Sequence, residues 1–340
     1  MALDQGSGRV TITEIAREAG VSVPTVSRVV NGRADVSPRT RAKVEQLLAQ
    51  RGYQRPAQGR GSAANLIDLV FNDLDSPWAV EIIRGVEGVA QAAGVGTVVS
   101  AIHRQPASAR QWLDNLRARA SDGVILVMSH LERPLQEELR RLDVPMAVVD
   151  PAGVPTPGAP TIGATNWAGG LHATEHLLSL GHRRIGLVAG PAGLLCSRAR
   201  LDGYRAALEA AGVPYDEGLV RVGDFYHESG YAGAREFFDL EHPPTAVFAS
   251  SDQMALGVYE AVRQCGLRVP DDVSVVGFDD LPEVRWCSPP LTTVRQPLVE
   301  MGALAARTVL RMLAGEEAGS PRLELATELV VRHSTAPPRG

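Results

Sequence analysis

From Thr11 to Gly32 the apolar residues recur at helical spacing in two short bursts, TITEIAREAGVSVPTVSRVVNG. Ile12, Ile15, Ala16 and Ala19 stand at i, i+3, i+4 and i+7, with Thr11 and Glu14 in capping-box spacing before them and Gly20 behind. That predicts one short helix. Ser22 can cap a second helix, Pro24 falls in its first turn where a missing N–H matters little, Val26, Val29 and Val30 form its inner stripe, and Gly32 ends it. Pro24, Thr25, Ser27, Arg28 and Asn31 are left facing outward, with Ser22 and Val23 at the leading end. Short hydrogen-bonding side chains plus an arginine, on a helix set by a tight turn, suit base edges in the major groove of duplex DNA. A hairpin that only packs would carry a Glu/Lys mixture on that face.

After Tyr53 the stretch QRPAQGRGSAAN has two glycines, a proline and no periodicity, and reads as a linker. Beyond it short apolar runs alternate with amphipathic ones. LIDLVF, TVVSA, GVILVM and MAVVD are separated by WAVEIIRGVEGVAQAAG, ASARQWLDNLRARA and RPLQEELRRL. This βαβ alternation predicts an α/β fold with a parallel sheet covered on both faces. The proline- and glycine-rich PAGVPTPGAP interrupts it, and the alternation then resumes from HATEHLLSLG and RIGLVAG through to VSVVGF. Two similar α/β units therefore follow the helical head, in keeping with 340 residues being too many for one ordinary core.

Charge divides the same way. Residues 1–60 hold ten Lys+Arg against five Asp+Glu, and the rest hold 24 against 34, of chain totals of 34 and 39. A basic head on an acidic body confines favourable phosphate contact to the head. Lys43 is the single lysine, so arginine is the default cation, a bias that suggests a GC-rich genome. No apolar run reaches the roughly 18 residues a membrane span needs, and no charged-then-apolar leader begins the sequence, so a cytoplasmic protein is expected. Cys196, Cys265 and Cys287 form no C-x-x-C pair and fit free thiols in a reducing compartment.

In open α/β sheets ligands bind beyond the carboxyl ends of strands. Asp73 follows LVFN, Ser129 and His130 follow VILVM, Asp150 ends MAVVD, Asp224 and Phe225 follow RVG, Ser251 and Asp252 follow VFAS, and Asp279 follows VVGF. Carboxylates and hydroxyls pair with sugar hydroxyls, and a flat ring covers the apolar face of a pyranose, so this set suits a saccharide. Trp78, after Ser76-Pro77, either stacks on such a ring or begins the first core helix, and Trp286 has the same two readings. Phosphate-cradling G-x-x-x-x-G-K-[ST], a G-x-G-x-x-G after the first strand and the G-x-S-x-G elbow do not occur. His172, Glu175 and His176 spell H-x-x-E-H, a metallopeptidase pattern, but the reading preferred is an ordinary helix packed on the second unit's sheet. No enzyme activity, cofactor or metal is expected.

The head sequence resembles the DNA-binding headpiece of the lactose-repressor family of bacterial transcription regulators. VSPRTRAKVEQLLAQRGY resembles the family's third helix, with Ser37 as cap, Pro38 at the first helical position, Val44, Leu47 and Leu48 inward and Gly52 as stop. GHRRIGLVAGP, RARLDGYRAAL, PTAVFASSD, DDVSVVGFDD and PPLTTVRQP resemble further family signatures in order, so the resemblance covers nearly the whole chain. It implies a helix-turn-helix headpiece over 9–56, a linker or hinge over 57–64, and a periplasmic-binding-protein-like core over 65–338. In that core, about 65–160 and 292–322 would form subdomain 1, and about 161–291 and 323–338 subdomain 2, with three chain crossings between them.

The same resemblance implies a repressor of carbohydrate-use genes, bound as a homodimer to a palindromic operator and controlled by a small sugar. The sugar contacts would be Asp150, Arg198, Arg200, Phe225, Ser251 and Asp279, joined by Asp73 and Trp78 from the strand-end inventory. Each has a plainer reading: Arg198 and Arg200 as a solvated helix start, Asp279 as a turn residue, Asp150 as a turn opener before Pro151. Ser251 stands where the family often has asparagine. Family habit and the GC-rich bias suggest a plant-cell-wall oligosaccharide, such as a xylo- or cello-oligosaccharide. The linker departs from the family: it is about three residues short, and Gly59-Arg60-Gly61 replaces the hinge helix and its apolar wedge, leaving Arg60 to enter a narrow minor groove. ELVVRHSTAPPRG contains no leucine heptad, so a dimer rather than a tetramer is expected. The alternative from another class is a sugar-binding or sugar-modifying protein whose helical head serves only for oligomerisation.

Overall fold

The computed structural model describes residues 12–30, 36–51, 64–103, 105–127, 133–153 and 159–339. The chain divides into two compact units, Met1–Ser62 and Ala63–Gly340. In the first, α1 (Ile12–Ala19), α2 (Val23–Val30) and α3 (Pro38–Gln50) bury Ile15, Ala16, Ala19, Val26, Val29 and Val44 in one small core. Gly20 turns the chain at φ 67°, and the Val21 N–H donates back to the Ala16 carbonyl at 3.1 Å, closing the end of α1. Ser22 and Ser37 cap the next two helices, each hydroxyl accepting the backbone N–H three residues on at 3.3 Å. Arg51 grips Glu18 through two bonds of 2.9 and 3.1 Å, tying the end of α3 to α1. Thr11, Asn31, Gly32, Gly52, Ser129, His130 and the linker with Arg60 lie outside the described residues.

The second unit holds two six-stranded sheets. The first begins as β1 (Leu66–Phe71), α4 (Pro77–Ala92), β2 (Gly96–Ala101), α5 (Pro106–Arg119), β3 (Gly123–Val127), α6 (Arg133–Arg141), β4 (Met146–Val149) and β5 (Thr161–Ala164). The chain then enters the second sheet through α7 (Asn166–Ser179), β6 (Ile185–Ala189), α8 (Leu195–Ala210), β7 (Val220–Val222), α9 (His227–Phe238), β8 (Ala246–Ala249), α10 (Asp252–Gln264), β9 (Ser274–Asp279) and β10 (Thr292–Arg295). It returns for α11 (Leu298–Leu313) and β11 (Arg322–Leu325), and crosses once more to β12 (Glu328–Val330). The strand orders are β11-β5-β4-β3-β1-β2 and β12-β10-β9-β8-β6-β7, parallel except for β10 with β12. β1, β3, β6, β8 and β9 are continuous or near-continuous apolar runs because helices cover both faces.

Three boundaries differ from the sequence expectation. Thr161–Ala164 pairs with β4 and β11 and so belongs to the first sheet, with Ile162 and Ala164 in its core. Thr292–Arg295 pairs with β9 in the second sheet, and the return to the first begins only at α11, whose Met301, Ala305 and Val309 join the first core. Arg322–Leu325 lies beside β5, so the final crossing comes after Leu325, not before 323. Apolar spacing reveals that a segment is a strand but not which sheet takes it up, and PAGVPTPGAP hid the short β5 that follows.

The crossings are fastened to one another. Thr165 and Thr327 share a hydroxyl contact of 3.0 Å, and the Thr327 N–H donates to Thr165 Oγ1 at 2.9 Å. Gln296, in the middle crossing, donates its backbone N–H to the Asp279 carbonyl at 3.2 Å. Leu281, from the segment after β9, is buried in the core of the first sheet. Among the described residues no helix is long and apolar enough to cross a membrane.

The pairing of α7 with α8 sets the second lobe's share of the cleft and depends on two glycines. A methyl group on Gly203 would lie 2.2 Å from the Trp167 carbonyl oxygen, and one on Gly170 would lie 2.3 Å from that of Arg200. Gly203→Ala is therefore expected to lower stability by about 1–3 kcal/mol, seen as a lower urea midpoint with an unchanged slope. A loss too small to resolve would mean that the helices part freely.

Candidate functional site

In the head, α2 presents its polar side as expected from spacing: Val26 and Val29 are buried, Ser22, Pro24 and Arg28 exposed, and Val23, Thr25 and Ser27 half-buried. Ser22 also holds the Thr25 hydroxyl at 2.8 Å, fixing the leading turn. A basic residue among small polar ones on a rigid, capped helix is suited to base and phosphate contact.

In the second unit a cleft of about 700 Å³, its mouth included, opens between strand ends of the two sheets. The first lobe contributes Asp73, Trp78, Val127 and Asp150, and the second Arg200, Phe225, Tyr226, Ser251, Gln253 and Asp279. Ser76 caps α4 by accepting the Trp78 N–H at 3.3 Å, so Trp78 both lines the cleft and packs on the first core. The helix-start reading therefore holds, and its place in the cleft wall leaves the ring available to a ligand.

Arg200 is the centre of the site. It is 3 % exposed, with its guanidinium carbon 3.7 Å from the Phe278 ring centroid and 5.5 Å from that of Phe225. Its Nε donates to Asn166 Oδ1 at 2.8 Å and its Nη1 to the Ser250 carbonyl at 2.5 Å. The solvated-helix reading of this arginine therefore fails. It does apply to Arg198, which is exposed and does not line the cleft. Phe225 adopts φ 76° at the end of β7, its ring seated over Gly190, where a methyl would come within 2.2 Å of it. Ser251 donates its hydroxyl to the Phe225 carbonyl at 2.9 Å and accepts the Met254 N–H at 3.1 Å. It thus pins the aromatic turn and caps α10, which leaves it little capacity for a ligand.

Two buried carboxyls line this space. Burial pushes the Asp279 carboxyl up to about 7, while Arg200 and the Gln296 amide, which donates to Oδ1 at 2.6 Å, pull it down. Burial likewise raises Asp150, with Arg200 and the Cys196 thiol opposing. Both residues sit at positive φ, 128° and 47°, so each does end its strand in a turn while its carboxyl lines the cleft. Burial pushes the Cys196 thiol up to about 12, which favours the protonated form.

Other members of the strand-end inventory lie elsewhere. Asp252 is fully buried beneath the cleft, accepting Thr293 Oγ1 at 2.5 Å and the Leu281 N–H at 2.8 Å. Trp286 is 80 % exposed and outside the cleft. On α7, His176 Nε2 meets Thr335 Oγ1 at 2.9 Å, and the pattern His172, Glu175, His176 gathers no cluster of three metal-ligating groups among the described residues. Spacing did not single out Tyr226 or Gln253. Each is displaced by one or two residues from a strand-end position already noted, and that proximity was the available signal.

Comparison with known proteins identifies two regions. Residues 11–56 match the family described as bacterial regulatory proteins, lacI family, and residues 174–335 match a periplasmic binding protein-like domain. The chain is 35 % identical to the HTH-type transcriptional regulator DegA of Bacillus subtilis over 97 % of its length and 99 % of that protein's. It is 38 % identical to the HTH-type transcriptional regulator CelR of Thermobifida fusca over 96 % and 98 %. Among solved structures, a transcriptional regulator CelR–cellobiose complex aligns at TM-score 0.75 and 37 % identity, covering 96 % of this chain and all of that one. The lac repressor dimer bound to operator and the anti-inducer ONPF aligns at 0.70 and 31 %, covering 97 % and 100 %.

Asp279 gives the cleft a measurable pH signature. An unfolded aspartate titrates near 3.9 and this one near 7, so the folded state holds the proton more tightly. The stabilisation is complete below about pH 4 and is lost as pH rises through about 7. Asp279→Asn, which cannot titrate, is expected to be more stable than wild type at pH 8, with the difference shrinking at pH 5. The same difference at both values would locate the titration elsewhere.

Proposed function

The chain belongs to the lacI family of bacterial regulatory proteins and is a DNA-binding transcription regulator, and from that premise we propose that it represses carbohydrate-use genes in answer to a sugar bound in the cleft. α2 enters the major groove, where Arg28 reads a base edge and Ser22, Val23, Pro24, Thr25 and Ser27 set the fit, with Asn31 and Arg60 as further DNA contacts. Two copies bind a palindromic operator, since a two-fold dimer matches two half-sites. It works in the cytoplasm beside its DNA.

The observation that carries the effector reading is the cleft: Arg200 and the carboxyls of Asp150 and Asp279 line it together with the rings of Trp78 and Phe225. That is the chemistry of a neutral, hydroxyl-rich ligand with apolar ring faces. The CelR relative is a cellobiose complex, so a cello- or xylo-oligosaccharide is the effector class we assign. The ligand changes operator affinity only through its different affinity for the DNA-competent and incompetent forms.

The test is a footprint on the DNA upstream of the protein's own gene, titrated with cellobiose and xylobiose. A two-fold protected site whose occupancy changes with one sugar is expected. Sugar binding without any protected site would favour the reading in which the head only oligomerises. Arg28→Ala should cost about 1–3 kcal/mol on the operator and relax preference at one position per half-site. Equal loss on scrambled DNA would make Arg28 a phosphate contact. Sedimentation should find a dimer, and a tetramer persisting at nanomolar concentration would contradict this.

A further inference from the structure

The two lobes are joined across the cleft by a side-chain hydrogen bond, the Tyr226 hydroxyl donating to Asp73 Oδ1 at 2.5 Å. Its place in the topology gives it leverage. The crossing segments leave from β5, β10 and β11 and enter β12, strands that form one edge of each sheet. Asp73 follows β1, the fifth strand counted from that edge, and Tyr226 follows β7, the sixth. The bond therefore lies on the side of the cleft remote from the crossings, where a given hinge rotation separates the lobes most.

The tyrosine is also held in place by its own turn. Its N–H donates to Asp224 Oδ1 at 2.9 Å, its carbonyl accepts Ser229 Oγ at 3.0 Å, and Ser229 Oγ meets Asp224 Oδ1 at 2.6 Å. The preceding Phe225 is fixed in a left-handed conformation by the Ser251 bond to its carbonyl. The second lobe thus presents a hydroxyl already aimed at the first, and ordering it requires little further loss of freedom on closure.

We propose that Tyr226 and Asp73 are positioning residues that latch the cleft shut around its ligand and so set the ligand's residence time. The inference rests on the cleft being the effector site. A phenol hydroxyl bonded to a carboxylate is of the stronger, charge-assisted class. Parting the lobes breaks the bond, so its loss makes opening, and with it escape of the ligand, easier.

The experiment is stopped-flow Trp fluorescence with cellobiose on the full-length chain, using Trp78 in the cleft wall as reporter, alongside hydrogen exchange on the ligand-free protein. Tyr226→Phe deletes only the hydroxyl and is expected to raise the dissociation rate about tenfold, with the association rate within about twofold of wild type. Asp73→Asn, which keeps an acceptor oxygen but no charge, should fall between. Tyr226→Phe combined with Asp73→Ala should be no worse than Asp73→Ala alone, the sign of a shared interaction. In ligand-free Tyr226→Phe, the backbone amide of Cys196, which lines the cleft, should exchange faster. Unchanged release and unchanged exchange overturn the latch. Faster exchange in a protein that answers to no sugar would leave the latch standing and overturn the effector reading.

Discussion

Two buried carboxyls can face one cleft only if a fixed, positively charged group acts on both. Arg200 is that group. An arginine at 3 % exposure would be costly to bury alone, but its guanidinium lies against the Phe278 ring and its N–H groups are taken up by Asn166 and the Ser250 carbonyl. It draws Asp150 and Asp279 back toward ionisation against their burial. The cleft wall is consequently polarised by buried groups, and hydrogen bonds made to them are stronger than they would be in solvent. Asn166 begins α7 and Arg200 lies on α8, so the close helix pairing permitted by Gly170 and Gly203 and the electrostatics of the cleft are one feature, not two.

That arrangement also explains why the segment around Asp279 and Asp280 is so heavily tied. Asp279 reaches Gln296 in the middle crossing through both side chain and backbone, and Asp280 holds Arg295 at 2.8 Å and Arg332 at 2.5 Å on either side of the crossings. A ligand that engages Asp279 is thus one residue removed from the segments about which the lobes turn. Packed, bistable elements amplify small shifts at a site into larger ones at a distance. Proximity of this kind supplies a physical connection from ligand to hinge without a long chain of intermediaries.

Much of this was legible from spacing. The three head helices, their serine caps and nearly every strand and helix of the core follow from apolar period, because each apolar face had only one way to be buried. The carboxyl-end rule located Asp73, Asp150, Phe225, Ser251 and Asp279 at the cleft without any coordinates. It failed for Asp252, since the first residue of a helix after a strand can turn into the core as readily as into solvent, and this one caps the Leu281 loop instead. Arg198 and Arg200 are two residues apart on a helix and so face different ways, which the spacing could have revealed. Sheet membership after PAGVPTPGAP and around Thr292–Arg295 was not legible, because it depends on pairing between segments far apart in sequence.

The late return of α11 and β11 to the first sheet has a consequence for synthesis on the ribosome. The lobe begun at β1 lacks one of its two 16-residue covering helices and one edge strand until the chain has been made to Leu325, after the whole of the second sheet except β12. Met301, Ala305, Ala306 and Val309 supply the surface on which Ile67, Ile82 and Ile125 close. At about 5–20 residues per second, the interval between Ala164 and Leu325 leaves those side chains uncovered for roughly ten to thirty seconds. The second lobe, started later, is nearly complete first. Until α11 is made, the apolar face of the nascent first lobe that it will cover stays open.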